Sequence, residues 1–148
     1  MALRRRHLRE RCLQIIYAYK LTKDPIEHVK NLQLSDITKK DEKKFCNELI
    51  DKTIENEEYY EKLITEIVEH WDMERIALID SIIIKMCLTE FFYFEEIPPK
   101  VSINEAIDIA KDFSTRNSGK FVNGVLDAIY EKMKNENKII KKGKGLIS

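Results

Sequence analysis

Residues 73–95 read MERIALIDSIIIKMCLTEFFYFE, and this stretch decides the fold. Apolar residues fill most positions, without a glycine or proline, over a length beyond that of ordinary strands. Ile82-Ile83-Ile84 by itself would suit a strand. The length of the segment and the lack of turn residues around those isoleucines favour a helix. A helix that is apolar almost all round is packed on several sides, so this segment is predicted to be the central helix of an all-α protein. Asp80, Lys85 and Glu90 interrupt it without sharing one face, so each needs a partner from elsewhere if it is buried. For Lys85 and Glu90 the expectation is a buried ion pair or a rim position; contact with a second protein is the alternative.

Downstream, Pro98-Pro99 ends this helix. Ser102 and Glu105 have capping-box spacing and predict a helix start, with Ile103, Ala106, Ile107 and Ala110 as its buried stripe. Residues 115–119 read as a loop. Asn117 or Ser118 would cap a last helix with Val122, Val125, Leu126, Ile129 and Met133 inward. Gly124 inside that helix costs roughly 1 kcal/mol relative to Ala, so another helix or a ligand must approach it closely. Phe121 sits on the shoulder of the stripe, covering the core edge or facing a partner.

Upstream, Trp71-Asp72 marks a junction. Leu63, Ile67 and Val68 point inward before it. Phe45, Leu49 and Ile50 do so in a preceding helix, with a break near Asn56. Thr38 and Asp41 resemble a capping pair for that helix. Asp24-Pro25 reads as an N-cap followed by proline at the first helical position, and opens a short helix. The first helix is predicted from about Arg4 to Lys20, with Leu8, Cys12, Ile15, Ile16 and Tyr19 on one stripe.

Only four Gly and three Pro occur in 148 residues, which also favours helices over turn-rich strands. Net charge is zero, yet residues 1–11 hold five Arg against one Glu, and residues 132–148 hold six Lys against one Glu. A basic start beside an acidic middle suggests a polyanionic partner and a basic protein partner. The Lys- and Gly-rich end, 139–148, reads as a flexible basic tail. Cys12, Cys46 and Cys87 are far apart and show no metal spacing, so buried free thiols in a reducing cytoplasm are expected. No signal peptide is visible, and the most apolar run, Ile82 to Phe94, is interrupted and too short to span a bilayer.

No carrier of catalysis is visible. His7, His28 and His70 are dispersed, and no nucleophile–base set, phosphate-cradling glycine loop, cofactor fingerprint or metal pair occurs. The start of the chain is more informative. Guanidinium groups bind phosphates bidentately and stack on bases, and several arginines at a helix N-terminus oppose the helix dipole. Arg6, Glu10, Leu13 and Tyr17 lie opposite the main stripe. Tyr17 there is either a stacking platform for a single-stranded base or, with Leu13, packed on a second helix layer.

Two stretches carry a family resemblance: Arg5-Arg6 with Arg9, Gln14 and Tyr17, and Val101-Ser102-Ile103-Asn104-Glu105-Ala106 followed by Ala110-Lys111 and Phe121-Val122-Asn123-Gly124-Val125-Leu126-Asp127. Over nearly the whole chain the sequence resembles the NusB family of transcription antitermination factors. The resemblance implies two three-helix bundles, about 1–70 and 71–138, fused into one domain over 1–138. It implies binding of boxA RNA in ribosomal RNA transcripts together with NusE, a small-subunit ribosomal protein. Further Nus factors would join on RNA polymerase, and Rho-dependent termination would be suppressed, without cofactor or catalysis. The matched RNA-binding positions are Arg5, Arg6, Arg9, Tyr17, Ser118, Lys120 and Phe121, and Asp80 falls near the surface for NusE. His7, Ser81 and Ser114 depart from common family residues; His7 replaces a third Arg and softens one charge contact. The rival reading is a NusB-like module related to the N-terminal domain of ribosomal RNA cytosine methyltransferases, without catalysis.

Overall fold

The computed structural model describes residues 2–71 and 76–147, with side chains from residue 5 onward. Helices α1 (Ala2–Thr22), α2 (Ile26–Gln33), α3 (Lys40–Glu55), α4 (Glu57–His70), α5 (Leu78–Tyr93), α6 (Pro99–Phe113) and α7 (Ser118–Asn135) follow in order, then a short 3-10 turn, Gly143–Leu146. No strand occurs among the described residues. The Arg4 side chain, Asp72 of the predicted junction and the predicted central-helix start at Met73 lie outside the described residues.

The all-round apolar pattern of α5 has a direct structural cause. This helix packs against α1, α3, α4, α6 and α7, and every residue from Ile82 to Phe91 is buried. Around it, α1 packs on α2 and α3, α6 pairs with α7, and α4 touches α3, α5 and α7. Both charged interruptions expected to be internal find partners. Lys85 Nζ lies 2.6 Å from Glu61 Oε2 on α4, and Glu90 receives Arg9 of α1. Thr89 adds a polar seam, 2.8 Å from Thr53 of α3 and 3.1 Å from the Tyr60 hydroxyl of α4. Because these groups satisfy one another, the core carries them without stranded donors.

Helix ends depart from the sequence expectations in informative ways. Pro25, not Asp24, stands at the N-cap of α2, and no side chain caps it. α3 starts at Lys40 behind Lys39, again without a side-chain cap, so Thr38 and Asp41 are not a capping pair. α6 starts at Pro99, where the proline's fixed φ and missing N–H suit a first turn. Ser102 and Glu105 therefore lie inside the helix rather than boxing its end. Both are spent on other helices: Ser102 Oγ donates to Glu90 Oε1 at 2.7 Å, and Glu105 accepts from Arg6. At α7 Asn117 stands at the N-cap without a side-chain capping bond, and a reciprocal pair instead ties the preceding turn to the first helical residue. Ser118 N–H donates to Thr115 Oγ1, and Thr115 N–H donates to Ser118 Oγ, at 3.2 and 3.3 Å. The break predicted near Asn56 separates α3 from α4.

The close approach demanded by Gly124 comes from Trp71: a Cβ there would lie 3.2 Å from the indole Cη2. The segment read as a flexible tail is instead docked. Lys141 Nζ donates to the carbonyls of Glu90 and Phe94 at 2.9 and 2.8 Å, and Lys142 N–H donates to Glu95 O. Both carbonyls already accept a backbone N–H, from Phe94 and Ile97, so Lys141 adds a second, charged donor at the helix end where the dipole favours a cation. Gly145 completes the docking, since a Cβ would come within 1.9 Å of Glu95 O. All three cysteines are free and buried.

Candidate nucleic-acid interface

The arginines of α1 divide by what they touch. Arg5 is exposed, makes no ion pair among the described residues, and lies with its guanidinium 4.2 Å from the centre of the Phe45 ring. Charge held over an aromatic face keeps its donors free for a ligand. Arg6 is half-buried. Its Nε and Nη2 reach Glu105 at 2.9 and 2.5 Å, and Nη2 also reaches Asp108 at 2.9 Å. Arg9 is 4% exposed and clamps Glu90 through Nε and Nη2 at 2.7 and 2.8 Å, with Nη1 3.3 Å from Glu105. The hydrogen bonds from Arg6 hold the Glu105 carboxyl below its ordinary value against the opposing effect of burial, and the charge of Arg9 adds to the depression. The result is an ion cluster that ties α1 to α5 and α6, with Arg5 at its open end.

Leu13 is buried and Tyr17 is half-buried against the core. The face opposite the main stripe of α1 is thus a second packing face, which a helix wheel leaves open because it cannot tell one neighbour from two. The Tyr17 hydroxyl makes no hydrogen bond among the described residues.

The second group of predicted residues gathers at the start of α7. Ser118 is buried, with Oγ 3.0 Å from Asp80 Oδ2, 3.0 Å from Ser114 Oγ and 3.0 Å from Thr115 Oγ1. Its one proton can serve Asp80 or Ser114 but not both at once, and the same oxygen accepts the Thr115 N–H. Asp80 is buried as well, and its Oδ1 has no hydrogen-bond partner among the described residues. Lys120 is exposed and makes no ion pair among the described residues. Phe121 is half-buried, its ring 6.4 Å from that of Trp71 in an edge-on arrangement.

Two nodes, Arg9–Glu90 and Ser118–Asp80, therefore brace the two ends of α5. Asp80 and Glu90 are ten positions apart on the helix, or about 15 Å at 1.5 Å per residue. Sequence reasoning placed the cations but missed the carboxylates that hold them. A signal was available: Glu105 and Asp108 repeat the three-residue spacing of Arg6 and Arg9, which is how two helix faces pair charge. Near Arg5, a cleft of about 590 Å³ opens between Phe45, Tyr93 and Phe94, lined by Lys44 and Lys144 but also by the carboxylates of Asp41, Glu48, Glu95 and Glu96. No cluster of three metal-ligating residue types occurs among the described residues, and no helix there is long and apolar enough to cross a membrane.

Comparison with known proteins adds a sequence and a structural likeness. Residues 6–131 match the model of the NusB family. The transcription antitermination protein NusB of Chloroherpeton thalassium is 38% identical over 99% of this chain and 71% of its own length. That of Salinibacter ruber is 37% identical over 97% of this chain and 91% of its own length. The fold superposes on T. maritima NusB with a TM-score of 0.79 at 31% identity, covering 89% of this chain and 96% of that one. A chain in the crystal structure of antitermination factors NusB and NusE in complex with dsRNA matches with a TM-score of 0.77, covering 89% of this chain and 99% of that one; at 22% identity this likeness concerns the fold.

Proposed function

This chain belongs to the NusB family, and from that premise we propose that it is a transcription antitermination factor acting as an RNA-binding protein without catalysis. Its ligand is single-stranded boxA-type RNA in ribosomal RNA transcripts, bound jointly with the ribosomal protein NusE. Other Nus factors and RNA polymerase complete the assembly, in the cytoplasm, and Rho-dependent termination is suppressed. The observation that carries the reading is the match over 6–131, which takes in Arg6 and Arg9 of α1 and the start of α7, with Arg5 one residue before it. The two bundles, about 1–70 and 71–138, act as one domain in this reading.

In this reading the proposed RNA-binding residues have different duties. Arg5 and Lys120 are exposed and unpaired among the described residues, so they neutralise phosphates. Arg6 sits at the edge of the ion cluster and contributes in part. Arg9 and Ser118 are buried and hold the surface in shape. Tyr17 and Phe121 offer ring edges for a base, or shape the site from beneath. Asp80 fixes the start of α7 through Ser118 beside the surface for NusE. The acidic middle of the chain suits a basic ribosomal protein.

The test is a titration of boxA-type RNA in the presence and absence of NusE. The partner should tighten RNA binding by adding phosphate and base contacts to one continuous site. If the two proteins do not associate, or associate with no change in RNA affinity, the joint-site reading is wrong.

A further inference from the structure

We propose that Asp108 is a competitor built into the RNA-facing surface: it occupies the solvent side of the Arg6 guanidinium, and a backbone phosphate must displace it before Arg6 can bind RNA. The proposal rests on the reading that the start of α1 contacts RNA.

The two carboxylates on Arg6 are not equivalent. Glu105 takes Nε and Nη2 together, its side chain is only 12% exposed, and it also receives Arg9. It is anchored from two sides and fixes the direction of the Arg6 fork. Asp108 takes only Nη2, and its side chain is 48% exposed. An ion pair so open to water contributes little, because screening and side-chain entropy offset most of its attraction. Asp108 can therefore leave, whereas Glu105 cannot leave without stranding buried charge. The Arg6 side chain is itself 24% exposed, so a phosphate can reach it once Asp108 swings aside.

While Asp108 is in place, it repels an approaching phosphate and occupies a donor. Arg5, next in sequence and unpaired among the described residues, takes a phosphate without this obstacle. A ligand with several adjacent phosphates can bind Arg5 first and then displace Asp108. An isolated anion lacks that second foothold. The carboxylate thus trades affinity for selectivity toward a continuous polyanionic strand.

The experiment compares wild type, Asp108→Asn, Arg6→Gln and the double variant, titrated with one single-stranded boxA-type RNA at several salt concentrations, each with a thermal melt. Asp108→Asn should bind about two- to fivefold more tightly at low salt, the range of one exposed ion pair. Its log-affinity versus log-salt slope should steepen by about 0.7, as one more phosphate is neutralised. The double variant should bind no more tightly than Arg6→Gln. Unchanged binding in Asp108→Asn overturns the proposal. So does an equal gain in the Arg6→Gln background, or a gain without a steeper slope, since either marks a general charge effect. A wild type that fails to bind RNA at every salt concentration refutes the underlying function as well, an outcome distinct from a binding wild type with an indifferent Asp108→Asn.

Discussion

Arg5 and Arg9 are four residues apart, yet the structure gives them opposite tasks. Arg9 is enclosed by Glu90 and Glu105, so its removal leaves two carboxylates short of a partner, one of them fully buried. Arg9→Ala should cost roughly 3–5 kcal/mol of stability, the range for breaking a buried ion pair. Arg5→Ala should leave the melting temperature nearly unchanged, because Arg5 is exposed and rests only on the Phe45 ring. The binding data should invert this order. Arg5→Ala should flatten the salt slope of RNA affinity by about 0.7, while the folded fraction of Arg9→Ala should keep its slope. Denaturant melts and RNA titrations on the same preparations check both halves. A stable Arg9→Ala protein with a flattened slope would show that Arg9, not Arg5, meets the phosphate. At this scale the sequence was half legible. Five arginines in eleven residues pointed to phosphate, but which of them were already paired depended on carboxylates far along the chain: Asp36 for Arg11, and Glu90 and Glu105 for Arg9.

Elements α1 and α6 are joined by the ion pairs of Arg6 with Glu105 and Asp108 and of Arg9 with Glu105, which makes their union sensitive to acid. The Glu105 carboxyl is held below its ordinary value of 4.5, first by hydrogen bonds from Arg6 and then, with burial opposing, by the charge of Arg9. A folded-state value below the unfolded one means that the stabilisation is complete above about pH 4.5 and fades as pH falls through the folded value. Glu105→Gln should therefore be less stable than wild type near neutral pH, and the gap should close on acidification. Denaturant midpoints across pH 2.5 to 7 measure it; a gap of constant size would mean that Glu105 acts through packing alone. The helix ends show why element boundaries were hard to read. Ser102 and Glu105 have the spacing of a capping box, but local spacing does not reveal that Arg6, Arg9 and Glu90 compete for the same groups. Pro98-Pro99 was read only as the end of the preceding helix; α5 has already ended at Tyr93, and Pro99 instead opens α6.

The whole molecule is organised by α5, whose residues touch five other helices. That centrality was readable because burial on all sides removes amphipathic periodicity, and 73–95 lacks it. The packing order around α5 was not readable, because an all-round apolar helix does not say which neighbour lies on which side. The tail was misjudged for a related reason: lysine and glycine suggest a solvated end, but carbonyls at the end of α5 accept from Lys141, and Gly145 lies against Glu95. The family resemblance was carried by a string on α6 and α7 together with the arginines of α1, and of these α1 and α6 meet in space through Arg6, Glu105 and Asp108. The central claim is that this body recognises a particular single-stranded RNA. Its most direct test is the binding isotherm, in the presence of NusE, for a boxA-type RNA and for a scrambled RNA of equal length and composition. The account predicts tighter binding to the boxA-type RNA, with salt-dependent affinity for both. Equal affinity for the two sequences, or no binding to either, would contradict it.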